Sequence, residues 1–252
     1  MSDFHLVREY LLSRLGANIR EADGDLTIIE TERRHHCEMS YGYVHLIWIV
    51  SFNDGSVIAS VPVNTSEDVK SFIRDHVKEI DIFDELFIAP MKQMTHCEAK
   101  RLLGKESCQC ISDLVYACDG KTIAPANPNI TAERIIDKRY ECSGDIHFPD
   151  HCLPDGIVYG VYENSQIVSL AYAHKTGEYQ DGVADIGVET SKDYRRRGYA
   201  RECVNSVARH VIDKGGESVY LCSPNNTASI HTALSAGYAP YGKSLVVAVV
   251  PD

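Results

Sequence analysis

The stretch from Val183 to Tyr238 leaves a chain the fewest ways to fold. VADIGVET (183–190) has the composition of a strand, and SKDYRRRGYA follows it directly. Next, Ala200, Cys203, Val204, Val207, Ala208, Val211 and Ile212 recur at helical spacing and make one apolar face. Gly215-Gly216 stops that helix, and Ser218–Cys222 reads as a second strand. Two strands joined through one helix give a β-α-β unit with a parallel pair. The front of the helix is unusual. Arg195, Arg196, Arg197 and Arg201 gather at the positive end of the helix dipole, where acids are the rule. Cations there make sense if an anion joins them. The free N–H groups of a helix start already form a phosphate cradle, and Gly198 lets a ligand reach the backbone. A solvated basic cap is the plainer alternative.

Arg195, Gly198 and Ala200 occupy the defined positions of [Q/R]-x-x-G-x-[G/A]. Farther on, Asn226, Ser229, Ala233, Gly237 and Tyr238 fit N-x-x-S-x-x-x-A-x-x-x-G-Y. Two separated motifs in this order resemble the acyl-CoA-binding core of the GNAT N-acetyltransferase superfamily, over roughly the last half of the chain. The resemblance implies an α/β (α+β) fold at 125–252, a mixed sheet with flanking helices. It implies an acetyltransferase that uses acetyl-CoA as cosubstrate and a small-molecule amine as acceptor. The pyrophosphate would lie on the N–H groups and side chains of Arg195, Arg196, Arg197, Gly198, Tyr199 and Ala200. The backbone around Ile186 and Val188 would hold the thioester, and Asn226 and Ser229 would contact the pantetheine arm. Many relatives carry a tyrosine where Ala233 stands, so the general acid is unassigned.

Direct transfer also needs a base for the ammonium form of the acceptor. Asp185 and Glu189 are the candidate catalytic carboxylates; four positions apart, they share a face of a regular strand. His147, Asp150 and His151, in the loop-like stretch 143–156, are weaker acceptor-side candidates beside the plain reading of a solvated loop. A non-catalytic acyl-CoA sensor on the same scaffold is the rival to an enzyme.

The preceding residues, 1–120, read as a separate, smaller α/β domain, with DGKTIAPANPN near 119–129 as the boundary. A helix over 3–15, strands over 26–31, 43–52 and 56–63, a helix capped by Thr65 and another over 94–103 are expected there. The hairpin VSFNDGSVIAS echoes VYENSQIVSLA at 161–171, as a decayed duplicate of the same fold would. In the second domain Thr131 should cap a helix running toward Tyr140. The tail Ser244–Val250 should complete the GNAT sheet.

A net charge of −11 speaks against a broad nucleic-acid surface. No apolar run approaches the ~20 residues of a membrane span, and MSDFHLVREYLL lacks the build of a signal peptide. Nine cysteines without a secretion signal fit reduced thiols in the cytoplasm. C-x-C at 108–110 and the scattered His-Cys pairs lack zinc spacing, so no metal is expected. A homo-oligomer stays open.

Overall fold

The computed structural model describes residues 3–17, 22, 24–38, 43–105, 107–137, 141–147, 149, 156–173 and 182–249. The chain forms two compact units. One comprises Met1–Tyr10 with Tyr116–Pro240, the other Leu11–Val115 with Tyr241–Asp252. The division near 120–125 read from the sequence therefore differs at both ends. The chain changes unit within helix α1 (His5–Leu15) and within the strands Cys108–Cys118 and Ala239–Val249, and no stretch of turn residues marks the change.

In the second unit β1 (Leu26–Thr31) and β2 (Cys37–Glu38) precede the hairpin of β3 (Tyr43–Phe52) and β4 (Val57–Pro62). Asn53-Asp54-Gly55 makes the turn, with Asp54 Oδ1 accepting from Ser56 N–H at 2.8 Å. Helices α2 (Glu67–His76) and α3 (Glu85–Leu103) follow, then β5 (Cys108–Cys118). Ile47, Ile49, Ala59, Val61, Ile73, Phe87 and Met91 are buried together as the core. Two helix starts differ from expectation. Thr65 does not cap α2; its hydroxyl donates to Pro62 C=O at 2.7 Å, and Ser66 is the cap position. Helix α3 begins nine residues before Met94, with Asp84 accepting from Leu86 N–H; Pro90 interrupts the donor pattern and conceals its first half from a sequence reading.

The first unit runs through β6 (Glu133–Arg134), β7 (Glu141–Cys142), β8 (Ile157–Glu163), β9 (Gln166–Ala173), β10 (Val183–Thr190), α4 (Tyr199–Ile212), β11 (Glu217–Cys222) and α5 (Thr227–Ser235). Among the described residues 131–137, the helix expected after Thr131 does not form. Glu133 and Arg134 instead pair with Gly160 and Tyr159, and Ile135 is buried in a core with Val158, Ile167 and Leu170. Tertiary pairing has overridden a plausible local cap. Asn164 and Ser165, both at positive φ, turn the β8–β9 hairpin as a two-residue primed turn does.

Helix α4 lies against β8, β9 and β10 and buries Cys203, Val204, Val207, Ala208 and Val211, the face foreseen from periodicity. Each valine removed from water contributes on the order of 1.5 kcal/mol, so the helix start is presented by a firmly seated element. The last strand is β12 (Ala239–Val249). From Gly242 onward it pairs antiparallel with β3, and Trp48 Nε1 donates to Ser244 Oγ at 2.8 Å.

Candidate active site

The site begins where β10 loses a neighbour. Val183, Ala184 and Asp185 pair in parallel with Glu217, Ser218 and Val219 of β11, and the ladder stops there. On its other edge β10 pairs antiparallel with β9 from Ile186 to Thr190. Ser191 N–H donates to Val168 C=O at 3.0 Å, and the register has no shift along those residues. Alternation therefore turns the backbone groups of Ile186, Val188 and Thr190 away from β9, toward the side that β11 has left. Arg195 Nε shows the same direction by donating to Thr190 C=O at 3.2 Å. A strand whose edge is opened in mid-sheet presents hydrogen-bonding backbone to whatever lies in the gap.

The start of α4 follows this edge by way of a 3-10 turn at Lys192–Tyr194. Gly198 occupies the cap position at φ 85°, and no side chain caps the helix. A Cβ at Gly198 would lie 3.3 Å from Ile130 Cδ1, so the position is both conformationally and sterically glycine's. Arg195, Arg196 and Arg197 are exposed around it. Their guanidinium groups are not equivalent. Arg195 holds Thr190; Arg197 donates to Asp193 C=O at 3.0 Å and lies 4.9 Å over the Tyr194 ring; Arg196 stands at φ 62°. Arg201 belongs elsewhere. It donates to Ser235 C=O (2.9 Å) and Pro125 C=O (2.7 Å), which ties α4 to neighbouring loops instead of facing an anion. The Tyr199 hydroxyl donates to Glu163 at the β8–β9 turn at 2.5 Å, and that bond raises its pKa. Ala200 completes the first turn, half-buried.

Past β11, Asn226 accepts from Ser229 N–H at 3.1 Å and caps α5. Ser229 is also hydrogen-bonded to Tyr220, whose phenol burial pushes up to about 12. The Tyr220 ring packs edge-on against Tyr238 at 5.7 Å, and the two rings lie by α5 where Ala233 is fully buried. No periodicity singled out Tyr220.

The two candidate carboxylates occupy one face of β10, as their spacing implied. Cys203 of α4 touches Ser169, whose hydroxyl is 2.8 Å from that of Thr190, so Thr190 and Val188 face α4 and Asp185 and Glu189 face away. The four-residue interval separates them by about 13 Å of strand. Tyr10 of α1 donates to Asp185 Oδ2 at 2.7 Å, and Glu189 Oε2 accepts His147 N–H at 3.0 Å. Between them Tyr172 lies across Gly187, where a Cβ would come within 2.4 Å of the phenol ring. Asp150 and His151 lie outside the described residues.

Residues 129–238 match the family model of the acetyltransferase (GNAT) family. This segment is a GNAT acetyltransferase domain. It places the C-terminal half among the acyltransferases, in a family that uses acetyl-CoA. Solved structures similar to the chain include an acetyltransferase of the GNAT family from Colwellia psychrerythraea, at 14% identity over 75% of this chain and 75% of that one, with a TM-score of 0.47. A GCN5-related N-acetyltransferase-like protein from Streptococcus suis is 16% identical over 62% of this chain and 68% of that one, TM-score 0.43. The microcin C7 self-immunity acetyltransferase MccE, solved with acetyl-CoA and AMP, is 16% identical over 40% of this chain and 64% of that one, TM-score 0.31. No curated protein matches the chain.

Within the GNAT domain the pieces fit an acyl-CoA. The opened edge at Val188 offers backbone to an extended amide-bearing arm, and the uncapped start of α4 offers N–H groups and guanidinium groups to phosphates. The face of β10 turned away from α4 carries two carboxylates, Asp185 and Glu189, with the Tyr172 ring between them. Among the described residues no helix is long and apolar enough to cross a membrane.

Proposed function

We propose that the chain is an acetyl-CoA-dependent N-acetyltransferase that acetylates a primary amine of a small or amino-acid-like molecule by direct transfer. The parting of β11 from β10 after Asp185, directly beside the uncapped, arginine-ringed start of α4, carries this reading. Acetyl-CoA supplies the activated acyl group. Arg195, Arg196, Arg197, Gly198, Tyr199 and Ala200 bind its phosphates; the backbone at Ile186 and Val188 holds and polarises the acyl carbonyl; Asn226 and Ser229 border the arm. A carboxylate on the face away from α4, Asp185 or Glu189, takes the acceptor's proton directly or through water. Cys97, Cys108, Cys110, Cys118 and Cys203 are free thiols, which supports a reducing, cytoplasmic setting.

Titration calorimetry with acetyl-CoA, followed by release of free thiol in the presence of primary amines, tests the reading. Binding with amine-dependent release is expected. A folded protein that binds no acetyl-CoA overturns it. One observation favours a second reading, an acyl-CoA-binding protein without turnover: Ala233 is fully buried and offers no proton to a departing thiolate. Tight binding with no thiol release by any amine would select it.

A further inference from the structure

The stripe of α4 beside its apolar face is covered by chain. At about 100° per residue, Gly198, Arg201, Glu202, Asn205 and Arg209 fall within about 100° of the helix circumference. The segment 122–130 runs along this stripe, antiparallel to the helix. Asn205 Nδ2 donates to Ala124 C=O at 2.8 Å, and Arg209 Nη2 donates to the same carbonyl at 2.9 Å. Arg201 Nη2 donates to Pro125 C=O at 2.7 Å, and Asn127 N–H donates to Glu202 Oε2 at 2.9 Å. Ile130 ends the series, its Cδ1 3.3 Å from where a Cβ at Gly198 would lie. As the segment advances from 124 to 130, its partners retreat from 209 to 198. It belongs to no strand or helix, so side chains of α4 satisfy backbone groups that a ladder would otherwise satisfy. Asn205 and Glu202 are buried on a helix for this reason.

The same segment reaches the end of α5. Arg201 Nε donates to Ser235 C=O at 2.9 Å, and Ala124 N–H donates to Ala236 C=O at 3.0 Å. Gly237, at φ 97°, has no space for a Cβ, which would come within 2.3 Å of both Ala124 N and Thr122 O. The first turn of α4 and the last turn of α5 are thus joined through 122–130, with Arg201 at the crossing. Helix α4 has no side-chain cap, and two residues at positive φ, Arg196 (62°) and Gly198 (85°), lead into it. A start of that kind takes its order from what packs on it. On this side of the helix the packing is supplied by the segment 122–130.

Resting on the acetyl-CoA reading above, we infer that 122–130 is a strap that pre-organises the phosphate cradle, with Arg201 and Asn205 as positioning residues for acetyl-CoA binding. Neither touches the ligand. Arg201 spends its guanidinium on two carbonyls, and Asn205 is fully buried one turn farther along. They hold the strap, and the strap holds Ile130 against Gly198. The N–H groups at the start of α4 therefore keep their direction before the ligand arrives. A cradle ordered in advance leaves less ordering to be done on binding.

Arg201→Lys, Arg201→Ala and Asn205→Ala test this on the whole chain. Acetyl-CoA is titrated by calorimetry at a temperature where circular dichroism shows each variant folded. Arg201 is partly exposed, so its two variants carry the test should Asn205→Ala fail to fold. Lysine keeps the charge but cannot bridge two carbonyls as the planar guanidinium does. Expected is a loss of acetyl-CoA affinity of about tenfold in all three, equal at low and high salt, with faster amide exchange at Ala124 and Asn127. A variant that is merely less stable binds normally while it is folded, so affinity is a readout that a purely structural bond does not move. Affinity kept by Arg201→Lys and lost by Arg201→Ala, with the loss shrinking as salt is added, overturns the inference and makes Arg201 a phosphate ligand. Native affinity in all the folded variants, beside binding by the unaltered protein, overturns the inference alone. No binding by the unaltered protein overturns the acetyl-CoA reading and, with it, the inference built on it.

Discussion

Each unit of this chain contains a buried strand that turns directly into a helix, and the two junctions are finished in opposite ways. In the second unit β4 is paired along all six residues with β1 and along four with β3, so its backbone is spent. The helix that follows, α2, starts with Glu67 and Asp68, and the buried Glu98 carboxylate faces its cap by accepting Ser66 N–H at 3.4 Å while also pairing with Arg101. Negative charge supplied by the protein itself sits at the positive end of the dipole. In the first unit β10 is released by β11 after Asp185, and α4 starts from a left-handed glycine with no side-chain cap and three exposed arginines. One junction is complete as folded. The other has Glu202 in its first turn, buried and bound to Asn127 N–H and Arg201, and leaves its outer start to three arginines, where the proposed site takes an anion from outside.

The comparison is broken most sharply by placing a carboxylate where the external anion belongs. Gly198→Asp adds a side chain against Ile130 and a charge opposed to phosphate. Acetyl-CoA binding should fall by on the order of 100-fold or more, about 2.7 kcal/mol, in calorimetry, while circular dichroism stays native. A small change in affinity would mean that phosphate does not lie on α4. Next in size is Asp185→Asn. The side chain can still pair with Tyr10, so acetyl-CoA binding should persist, and amine-dependent thiol release should drop by about 10²-fold. Full activity in that variant would remove Asp185 from the reaction.

How much of this was legible beforehand follows from where the forces act. Helix α4, its apolar face and the glycine at its start could be read because they depend on local periodicity and local φ. The parity that puts Asp185 and Glu189 on one face was also a local property, and it held. What depends on distant pairing was hidden. Thr131 looked like a cap, but Arg134 pairs with Tyr159 and the segment became a strand. Arg201 looked like part of the cradle, yet its guanidinium is taken by the carbonyls of Ser235 and Pro125. The tail strand carried no mark of its partner and joined β3. Tyr172 and Tyr10 were invisible as site residues, since each meets the carboxylate face only through tertiary contact.

The closed junction should respond in stability and not in binding. Glu98→Ala leaves Ser66 N–H without its acceptor and Arg101 without its anion, a loss of about 1–3 kcal/mol in chemical denaturation. Acetyl-CoA affinity should be unchanged. A variant equally stable but weaker for acetyl-CoA would mean that the second junction contributes to binding after all.

The smallest effect is one of pH, and the two junctions should differ in it because carboxylates titrate and guanidinium groups do not. Glu67 carries a pKa held below its ordinary value of 4.5, first by its hydrogen bond to Arg74, at 2.6 Å, and then by attraction to that residue and Lys70. Glu30 is lowered likewise by its bond to Lys70, at 2.9 Å. For an acid whose folded pKa is depressed, the contribution is complete above the unfolded value and disappears as pH falls through the folded one. Acidification from about pH 5 to about pH 3 should therefore loosen the first turns of α2 while the start of α4, ringed by permanently charged arginines, is unaffected at that end. Both carboxylates are exposed, so the change is slight and is sought in amide exchange of α2 instead of in the overall melt. Loosening of α4 at its start in the same pH window would show that a titrating carboxylate, and not an absent ligand, completes that helix.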